Sequence, residues 1–256
     1  MSAIDSARLF NDMLNLTTEL FYQQEEKLIL RERLQSASSV LDIGSGNGSY
    51  LAEIKQHYPH LRCTGLEKDE RIFAYAETRS MPGLDFIRDD YKNFKGKEPF
   101  DLVISRLVVP HLPDLPHFLD WLRSVTHKDS TIIIIDLLDA ATGPVPAEGL
   151  PLFEALFRAS RKPITDKFPG SVAEHILDAA IQAGYSEAAM QTYRINAAES
   201  DSRKLLHRYM GTVTELMQRD GLKNERNREL DGWLTNEDAS YQVGMFALTM
   251  KIDQRG

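Results

Sequence analysis

The sequence contains one cysteine, Cys63, and no cluster of cysteine and histidine residues. A single cysteine cannot form an internal disulfide, and the lack of such a cluster excludes a structural zinc site. Long apolar runs are missing as well, since the longest plain aliphatic run, Ile132 to Ile135, is far shorter than the about 20 residues that cross a bilayer. Asp5, Arg8 and Asp12 interrupt any signal-peptide core at the amino terminus. We therefore expect a cytoplasmic protein.

An excess of basic residues is also lacking. The chain carries 30 Lys and Arg against 38 Asp and Glu, a formal net charge of -8. Because binding to a phosphate backbone needs clustered Lys and Arg, this balance argues against nucleic acid as the main partner. The length of 256 residues, with 42% hydrophobic residues, suffices for one large domain with a substantial core.

Three glycines, Gly44, Gly46 and Gly48, follow the short apolar run Val40–Ile43, and a helical pattern through Leu51 comes next. This order predicts a buried strand, a tight turn and a helix. Glycine accepts positive φ and lets a ligand approach the backbone, whose amides converge at the positive end of the helix. The sequence therefore predicts a site for a polar or anionic group at this turn.

The spacing of the glycines separates two classes of cofactor. A dinucleotide-binding fingerprint, G-x-G-x-x-G, would require glycine at position 49, where the chain has Ser49. The stretch that begins at Asp42 instead resembles the D-x-G-x-G-x-G motif of class I S-adenosylmethionine (SAM)-dependent methyltransferases. The resemblance implies that Gly44, Ser45 and Gly46 cradle the amino-acid end of the cofactor, while Asp42 lies beneath and helps to orient it.

An acidic residue follows the next predicted strand. Leu61–Leu66 has the composition of a strand, and Glu67 stands at its carboxyl end with Lys68 beside it. A carboxylate there can accept hydrogen bonds from two ribose hydroxyls, a feature that dinucleotide enzymes share. Glu67 therefore indicates a nucleoside, and Lys68 is predicted to belong to the cofactor site.

The third predicted strand, Leu84–Arg88, is followed by Asp89, Asp90 and Tyr91. These residues resemble the acidic position at which the family binds the adenine amine. Asp89 aligns best, and the doubled acid leaves open which carboxylate has this role.

A fourth strand, Phe100–Ile104, is followed by Ser105, Arg106 and a loop that contains His111. This segment is similar to the one that closes over the reactive methyl group in many small-molecule methyltransferases. The resemblance implies that Ser105 and Arg106 belong to the cofactor site.

The order of the elements predicts the fold class. Strands and helices alternate as far as the β-branched run Thr131–Ile135, which implies a parallel α/β sheet with right-handed crossovers. By resemblance, Met190–Ile195 and Val243–Met250 complete a Rossmann-like, seven-stranded, mostly parallel sheet with an antiparallel last strand and helices on both faces. We expect a single methyltransferase domain over residues 1–256, with a core of residues 36–140, 171–198 and 241–256 and a helical lid of residues 1–35, 141–170 and 199–240.

Caps and periodicity predict several helices. Asp114 and the capping box Ser171–Glu174 each begin one. Residues 152–161 form a short helical pattern, followed by a predicted loop that contains Pro163 and Gly170. Further helices are expected over residues 5–34, 205–217 and 225–233.

The resemblance implies methyl transfer from SAM, with S-adenosylhomocysteine (SAH) as product, to nitrogen or oxygen of a small-molecule acceptor by in-line displacement. No metal is expected, since the segment after Ile104 lacks acidic ligands. It also lacks a cysteine nucleophile and the Asn/Asp-Pro-Pro-aromatic sequence of enzymes that methylate DNA amino groups. His111 is the candidate general base, with orientation of the next helix as its alternative role. The candidate acceptor contacts are Tyr22, His111, Arg106 and His207.

Other functions stay open at this point. The chain could be a protein or RNA methyltransferase or a non-catalytic SAM-binding scaffold, and competition between NAD and SAM would identify a nicotinamide enzyme. The basic run Arg158, Arg161, Lys162 and Lys167 could attract an anionic acceptor or form a solvated face. We expect a small-molecule acceptor as partner, with no nucleic acid and no membrane, and a monomer or homodimer.

Overall fold

The computed structural model describes residues 3–146, 149–196, 200–217 and 221–252, of which residues 3–5, 196 and 200 are described by their backbone alone. The predictions for residues 1–2, 147–148, 197–199, 218–220 and 253–256, which fall in the expected lid and core, lie outside the described residues.

Helices and strands alternate along most of the chain. The strands are β1 Ser39–Ile43, β2 Arg62–Glu67, β3 Leu84–Arg88, β4 Phe100–Arg106, β5 Thr126–Leu137, β6 Gly143–Val145, β7 Tyr185–Asn196 and β8 Ser240–Ile252. The α-helices are α1 Ala3–Glu25, α2 Arg31–Ser36, α3 Ser49–His57, α4 Glu70–Glu77, α5 Leu115–Leu122, α6 Pro151–Lys167, α7 Val172–Gln182, α8 Ser200–Met217 and α9 Lys223–Thr235. A π-helical turn, Glu26–Leu30, joins α1 to α2.

The strands form one sheet in the order β3-β2-β1-β4-β5-β8-β6, and β7 pairs with β8. Strands β1 to β5 are parallel, whereas β8 lies antiparallel to β5 and β7. The predicted fold class, a mostly parallel α/β sheet with an antiparallel last strand, is confirmed. The sheet is 8-stranded and not seven-stranded, because Gly143–Val145, predicted as loop, pairs with the start of β8. Pro144 is tolerated in this short strand because β6 lies at an edge of the sheet.

The central strands are buried on both faces, which explains their aliphatic sequence. In β5, Ile132 and Ile134 pack into the core on one face, and Ile133 and Ile135 pack into the core on the other. Cys63 in β2 is buried, and burial raises the pKa of its thiol to about 12. The parallel order brings the carboxyl ends of β1 to β5 to one edge of the sheet, where ligands bind in open α/β folds.

The predicted end of the first helix after β6 was wrong. Helix α6 continues through Pro163 to Lys167 instead of ending at Arg161. Ile164 and Phe168 are buried, and the Phe168 N–H donates to the Ile164 carbonyl at 2.9 Å. Packing of these side chains therefore outweighs the hydrogen bond that proline removes from the helix.

Two predicted caps are confirmed. The Asp114 carboxylate accepts a hydrogen bond from the His117 N–H at 2.9 Å, and Ser171 Oγ accepts one from the Glu174 N–H at 3.3 Å. These bonds fix where α5 and α7 begin. In the part of the chain that the structure describes, no helix is both long and apolar enough to cross a bilayer.

Candidate active site

The turn between β1 and α3, residues 44–48, is here called the glycine loop. Gly44, Gly46 and Gly48 have φ values of 71°, 57° and 75°, all in the left-handed region that glycine adopts without strain. A Cβ added at Gly44 would lie 2.4 Å from Val108 Cγ2, because the loop after β4 packs directly on this turn. The glycine loop therefore combines a backbone that requires glycine with a close approach that excludes any side chain.

Glu67, at the end of β2, holds the glycine loop in position. Its Oε2 accepts a hydrogen bond from the Gly46 N–H at 3.1 Å, and its Oε1 accepts one from the Asp69 N–H at 2.7 Å. Burial raises the pKa of this carboxyl, while the backbone hydrogen bonds oppose the rise. Because a carboxylate has about four acceptor positions, Glu67 keeps capacity for the hydroxyls of a ribose.

Asp42 lies beneath the glycine loop and is 3% exposed. Burial raises the pKa of its carboxyl to about 7, against the lowering effect of the nearby Arg106 charge, and the charge of Glu67 adds to the rise. Carboxyl groups shifted in this way are concentrated at ligand sites.

A cavity of about 500 Å³ lies above the glycine loop, between the carboxyl ends of the strands and residues of α1 and α8. All of the predicted cofactor residues except Ser105 line it: Asp42, Gly44, Ser45, Gly46, Glu67, Lys68, Asp89, Asp90, Tyr91 and Arg106. Ser105 is instead buried within β4. The structure thus brings together residues that lie far apart in the sequence.

Asp89 and Asp90 both reach the cavity, so the choice between them for the adenine amine stays a prediction. Asp89 Oδ1 accepts a hydrogen bond from the Asp90 N–H at 2.8 Å, and Asp90 Oδ1 accepts one from the Lys92 N–H at 3.1 Å. The Tyr91 ring packs edge-on against Phe118, with 5.2 Å between ring centroids. Each carboxylate therefore retains its second oxygen for a ligand.

Four polar residues that the sequence analysis missed join α1 to the glycine loop: Asn11, Asn15, Asn47 and Arg79, here called the asparagine clasp. The buried Asn47 amide donates to Asn11 Oδ1 at 2.8 Å and to Asn15 Oδ1 at 2.7 Å. Arg79 donates to the Asn47 carbonyl at 2.9 Å and to Asn15 Oδ1 at 3.1 Å. The signal in the sequence is a pair of asparagines four positions apart on one helix face, since asparagine disfavours helix interiors.

Arg106 forms a buried ion pair with Glu25, another residue that the sequence analysis missed. Arg106 Nε donates to Glu25 Oε2 at 2.8 Å and Nη2 to Glu25 Oε1 at 3.3 Å. The Tyr193 hydroxyl donates to the same Oε1 at 2.6 Å. The guanidinium carbon lies 4.7 Å from the Tyr50 ring centroid and 5.3 Å from that of Phe21. The end of α1 is thereby tied to the end of β4.

As a correction, two predicted acceptor contacts, Tyr22 and His207, do not line this cavity. The Tyr22 hydroxyl donates to the Glu53 carbonyl at 3.3 Å, and the ring is buried in the core. His207 Nε2 lies 3.0 Å from Asp231 Oδ1, on a separate groove between α1, α8 and α9. Both side chains have partners elsewhere, which leaves His111 and Arg106 from the predicted set at the cavity.

The loop after β4 brings His111 and Leu107 to the cavity. Burial lowers the pKa of His111, and the charges of Arg161 and Lys167 lower it further. An imidazole that is neutral at neutral pH can accept a proton. Leu107 has a φ of 59°, and its N–H donates to the Ile135 carbonyl at 2.8 Å. Such strained backbone in a residue other than glycine is typical of functional sites.

The site fits SAM on its own geometry. Ser45 Oγ is buried at the cavity wall without a hydrogen-bond partner in the described chain, as expected for an atom that meets a polar ligand. The glycine loop leaves space for the amino-acid end of the cofactor, Glu67 suits the ribose, and Asp89 or Asp90 suits the adenine amine. Within the described ranges, no group of three or more His, Cys, Asp or Glu residues could hold a metal ion.

A family model described as "Methyltransferase domain" matches residues 16–186, more than half of the chain. Trans-aconitate 2-methyltransferase from Escherichia coli O7:K1 is 28% identical over 102 residues, which cover 38% of this chain and 40% of that protein. The protein of the same name from Shigella flexneri is 28% identical over 101 residues, which cover 38% of this chain and 40% of that protein. The matched part thus spans well under half the length of these curated relatives.

Solved structures show the same fold. Phospholethanolamine N-methyltransferase 2 from Haemonchus contortus, in complex with phosphomonomethylethanolamine and SAH, has a TM-score of 0.54 at 14% identity, covering 88% of this chain and 53% of that one. A SAM-dependent methyltransferase from Thiobacillus denitrificans, in complex with SAH, has a TM-score of 0.52 at 17% identity, covering 92% and 96%. The chain therefore belongs to the methyltransferase-domain family.

Proposed function

We propose that this enzyme transfers the methyl group of SAM to a nitrogen or oxygen atom of a small-molecule acceptor without a metal. The observation that carries the proposal is the partly covered cavity, which Phe10, Leu14 and Leu216 from α1 and α8 line together with the glycine loop and the loop after β4. A cavity of about 500 Å³ is of the size that holds small ligands. A cover of helices also restricts the approach of a folded macromolecule.

The proposal includes one methyltransferase domain, residues 1–256, in which three segments share the role of lid over the Rossmann-like core. These segments are residues 1–35, 141–170 and 199–240. Helix α1 packs against α8, and α6 packs against α8 and α9, which supports a joint cover built from all three. Such a lid would exclude water from the reaction.

The residues at the cavity have different roles in the reaction. Bound SAM supplies a methyl carbon activated by a sulfonium. Asp42 and the glycine loop orient its amino-acid end, Glu67 holds the ribose, and Asp89 or Asp90 accepts a bond from adenine. The lone pair of the acceptor forms a bond to the methyl carbon while the carbon–sulfur bond breaks and its electron pair passes to sulfur. His111 takes the proton that the acceptor loses, and placement in line supplies much of the acceleration.

Transfer to protein or RNA, and SAM binding without catalysis, are the competing functions. The curated relatives named for trans-aconitate, a small acid, support a small-molecule acceptor. The net charge of -8 gives no support to RNA. A non-catalytic role has no positive observation in its favour.

The acceptor class can be tested with methyl-labelled SAM, the purified enzyme and a cell extract. Dialysis divides the extract into a dialysable fraction of small molecules and a retained fraction of macromolecules, and each fraction is offered to the enzyme. We expect label in small molecules of the dialysable fraction. Label confined to protein or RNA of the retained fraction would show that the acceptor is a macromolecule. Tight binding of SAH with no labelled product in either fraction would show a scaffold that binds the cofactor without turnover.

A further inference from the structure

The positive charge of Arg106 is already paired with a carboxylate inside the cavity wall. The Arg106 and Glu25 side chains are 8% and 0% exposed and share two hydrogen bonds. The Tyr193 hydroxyl holds Glu25 from a third direction. An acceptor carboxylate that used Arg106 would have to displace Glu25 and leave it as a buried charge without a cation, which is strongly unfavourable.

The basic run of α6 is paired in the same way. Its cations and their partners are Arg158 with Glu154, Arg161 with Asp139, Lys162 with Asp166 and Lys167 with the Leu112 carbonyl. Arg161, the most buried of them, donates through Nε and Nη2 to both oxygens of Asp139, at 2.8 and 2.9 Å. Of the two readings that the sequence left open for this run, the pairing favours a structural or solvated face over an anion site.

Two buried carboxyl groups also lie in this part of the described chain, Asp136 in β5 and Asp42 in β1. Asp136 is 0% exposed, and its Oδ2 has no hydrogen-bond partner in the described chain, while Arg161 Nη2 lies 3.9 Å from its Oδ1. Asp42 is a second buried carboxyl, and its electrostatic neighbours include Arg106. His111 contributes no positive charge at neutral pH, because its pKa is lowered. Neither carboxyl offers positive charge to an anionic acceptor, and the nearby Arg106 and Arg161 are already paired with Glu25 and Asp139.

The other cations at the cavity lie next to Glu67, where we propose that the ribose of SAM binds. Arg71 and Lys68 line that part of the cavity, and Arg71 is paired with Asp69 at 3.1 Å. They lie next to Glu67 in the sequence, at the part of the site that the nucleoside of SAM takes. They therefore do not supply an anion site for the acceptor.

The surface left for the acceptor is mainly apolar. Phe10, Leu14, Leu107 and Leu216 line the cavity, and Phe10 is 39% exposed although it is a large apolar residue. The Tyr50 hydroxyl at the wall is buried without a hydrogen-bond partner in the described chain. Apolar walls with a few convergent polar atoms select an apolar ligand and fix its orientation.

We propose that the acceptor is uncharged where it enters the cavity, an apolar body that carries one hydroxyl or amine nucleophile, and that polycarboxylates are excluded. The proposal rests on the proposed small-molecule methyl transfer. In the reaction the neutral oxygen or nitrogen gains the methyl group and the positive charge, and it becomes neutral again when its proton passes to His111. The paired arginines then serve to hold the lid and not to bind substrate.

The labelled product from the dialysable extract tests this proposal directly. At neutral pH we expect the label to pass through an anion-exchange column and to resist mild base, which would release it as methanol from a carboxylic ester. Label retained on the column, or released by base, would overturn the proposed acceptor class while leaving small-molecule methyl transfer intact. Absence of any labelled product in the dialysable fraction would overturn the proposed function itself.

A variant tests whether the pairing of Arg106 with Glu25 is what excludes polycarboxylates. Glu25→Gln keeps the shape of the side chain but removes the charge that pairs Arg106, so the SAH-loaded variant should bind trans-aconitate at least about tenfold more tightly than the SAH-loaded wild type. Asp166→Asn removes one carboxylate of an exposed pair on α6 and is the matched control, with no expected change. The double variant Glu25→Gln/Arg106→Gln should lose the gain. Equal binding of trans-aconitate by wild type and folded Glu25→Gln would overturn the proposal.

Discussion

Substitution of Asn47 by alanine should weaken SAH binding, because it removes the centre of the asparagine clasp. The variant loses the bonds to Asn11 and Asn15, at 2.8 and 2.7 Å, and the bonds that Asn47 Oδ1 accepts from the Ser49 N–H and hydroxyl, at 3.1 and 2.8 Å. The carbonyl at position 47 keeps its bond from Arg79. The glycine loop would then lose its direct side-chain bonds to α1 and keep the link through Arg79.

The size of the effect follows from these contacts. A hydrogen bond contributes about 0.5–1.5 kcal/mol net, and a buried group left without its partner costs about 1–3 kcal/mol. Asn15 Oδ1 keeps Arg79 as a donor, so part of the network can re-form. We expect a loss of roughly 2–3 kcal/mol, or 30- to 150-fold in Kd, if the clasp closes when the cofactor binds.

Calorimetry with SAH measures the Kd, and hydrogen exchange of α1 with and without SAH reports whether the helix closes. Asn224→Ala, at an exposed position of α9, is the control and should leave both unchanged. A folded Asn47→Ala protein with wild-type Kd and wild-type protection of α1 would refute the coupling between the clasp and the cofactor site. If only thermal stability falls, the clasp is structural and closed before SAH arrives.

Further predictions concern the cofactor site, the proton acceptor and pH. Glu67→Ala should weaken SAH binding by about 1–3 kcal/mol in calorimetry, since it removes bonds to ribose and to the glycine loop. Gly44→Ala should abolish measurable SAH binding, because its φ of 71° and the 2.4 Å contact leave no room for a Cβ. His111→Gln should lower turnover about 100-fold with unchanged SAH affinity, whereas His60→Gln, at an exposed site, should not. Burial raises the pKa of Asp136 from 3.8 to about 7, so the folded state holds a proton that the unfolded chain releases, and stability falls as pH rises through this window. Asp136→Asn should therefore melt above the wild type at about pH 8 and approach it near about pH 4.

The cofactor half of the site was predictable because its residues lie at or just after the carboxyl ends of strands. Gly44 and Asp89 come directly after β1 and β3, Glu67 is the last residue of β2, and the parallel order places the ends of those strands together. Local sequence therefore carries both the chemistry and the position of these residues. The structure places these residues on one cavity, and their roles stay predictions.

The contacts between lid and core were not predictable from local sequence. Glu25 and Arg106 lie 81 residues apart, and no pattern around either residue shows that the two meet. The start of β7 was missed for a different reason. The register of β7 shifts between Ser186 and Ala189, and Glu187 has a φ of 50°, so the alternation that indicates a strand is interrupted there. Pairing across distant elements and local irregularity are decided by packing, which a single sequence does not display.

The low reactivity expected of the Cys63 thiol makes the chain well suited to labelling at introduced cysteines. As the one cysteine in the sequence, 1% exposed and with a thiol pKa near 12, it should resist maleimide and methanethiosulfonate reagents in the folded protein. A cysteine placed at the exposed Glu19 of α1, paired with another at the exposed Arg62 at the start of β2, would then carry both probes without altering the native residue. The distance between such probes would follow the lid helix against the sheet during a catalytic cycle.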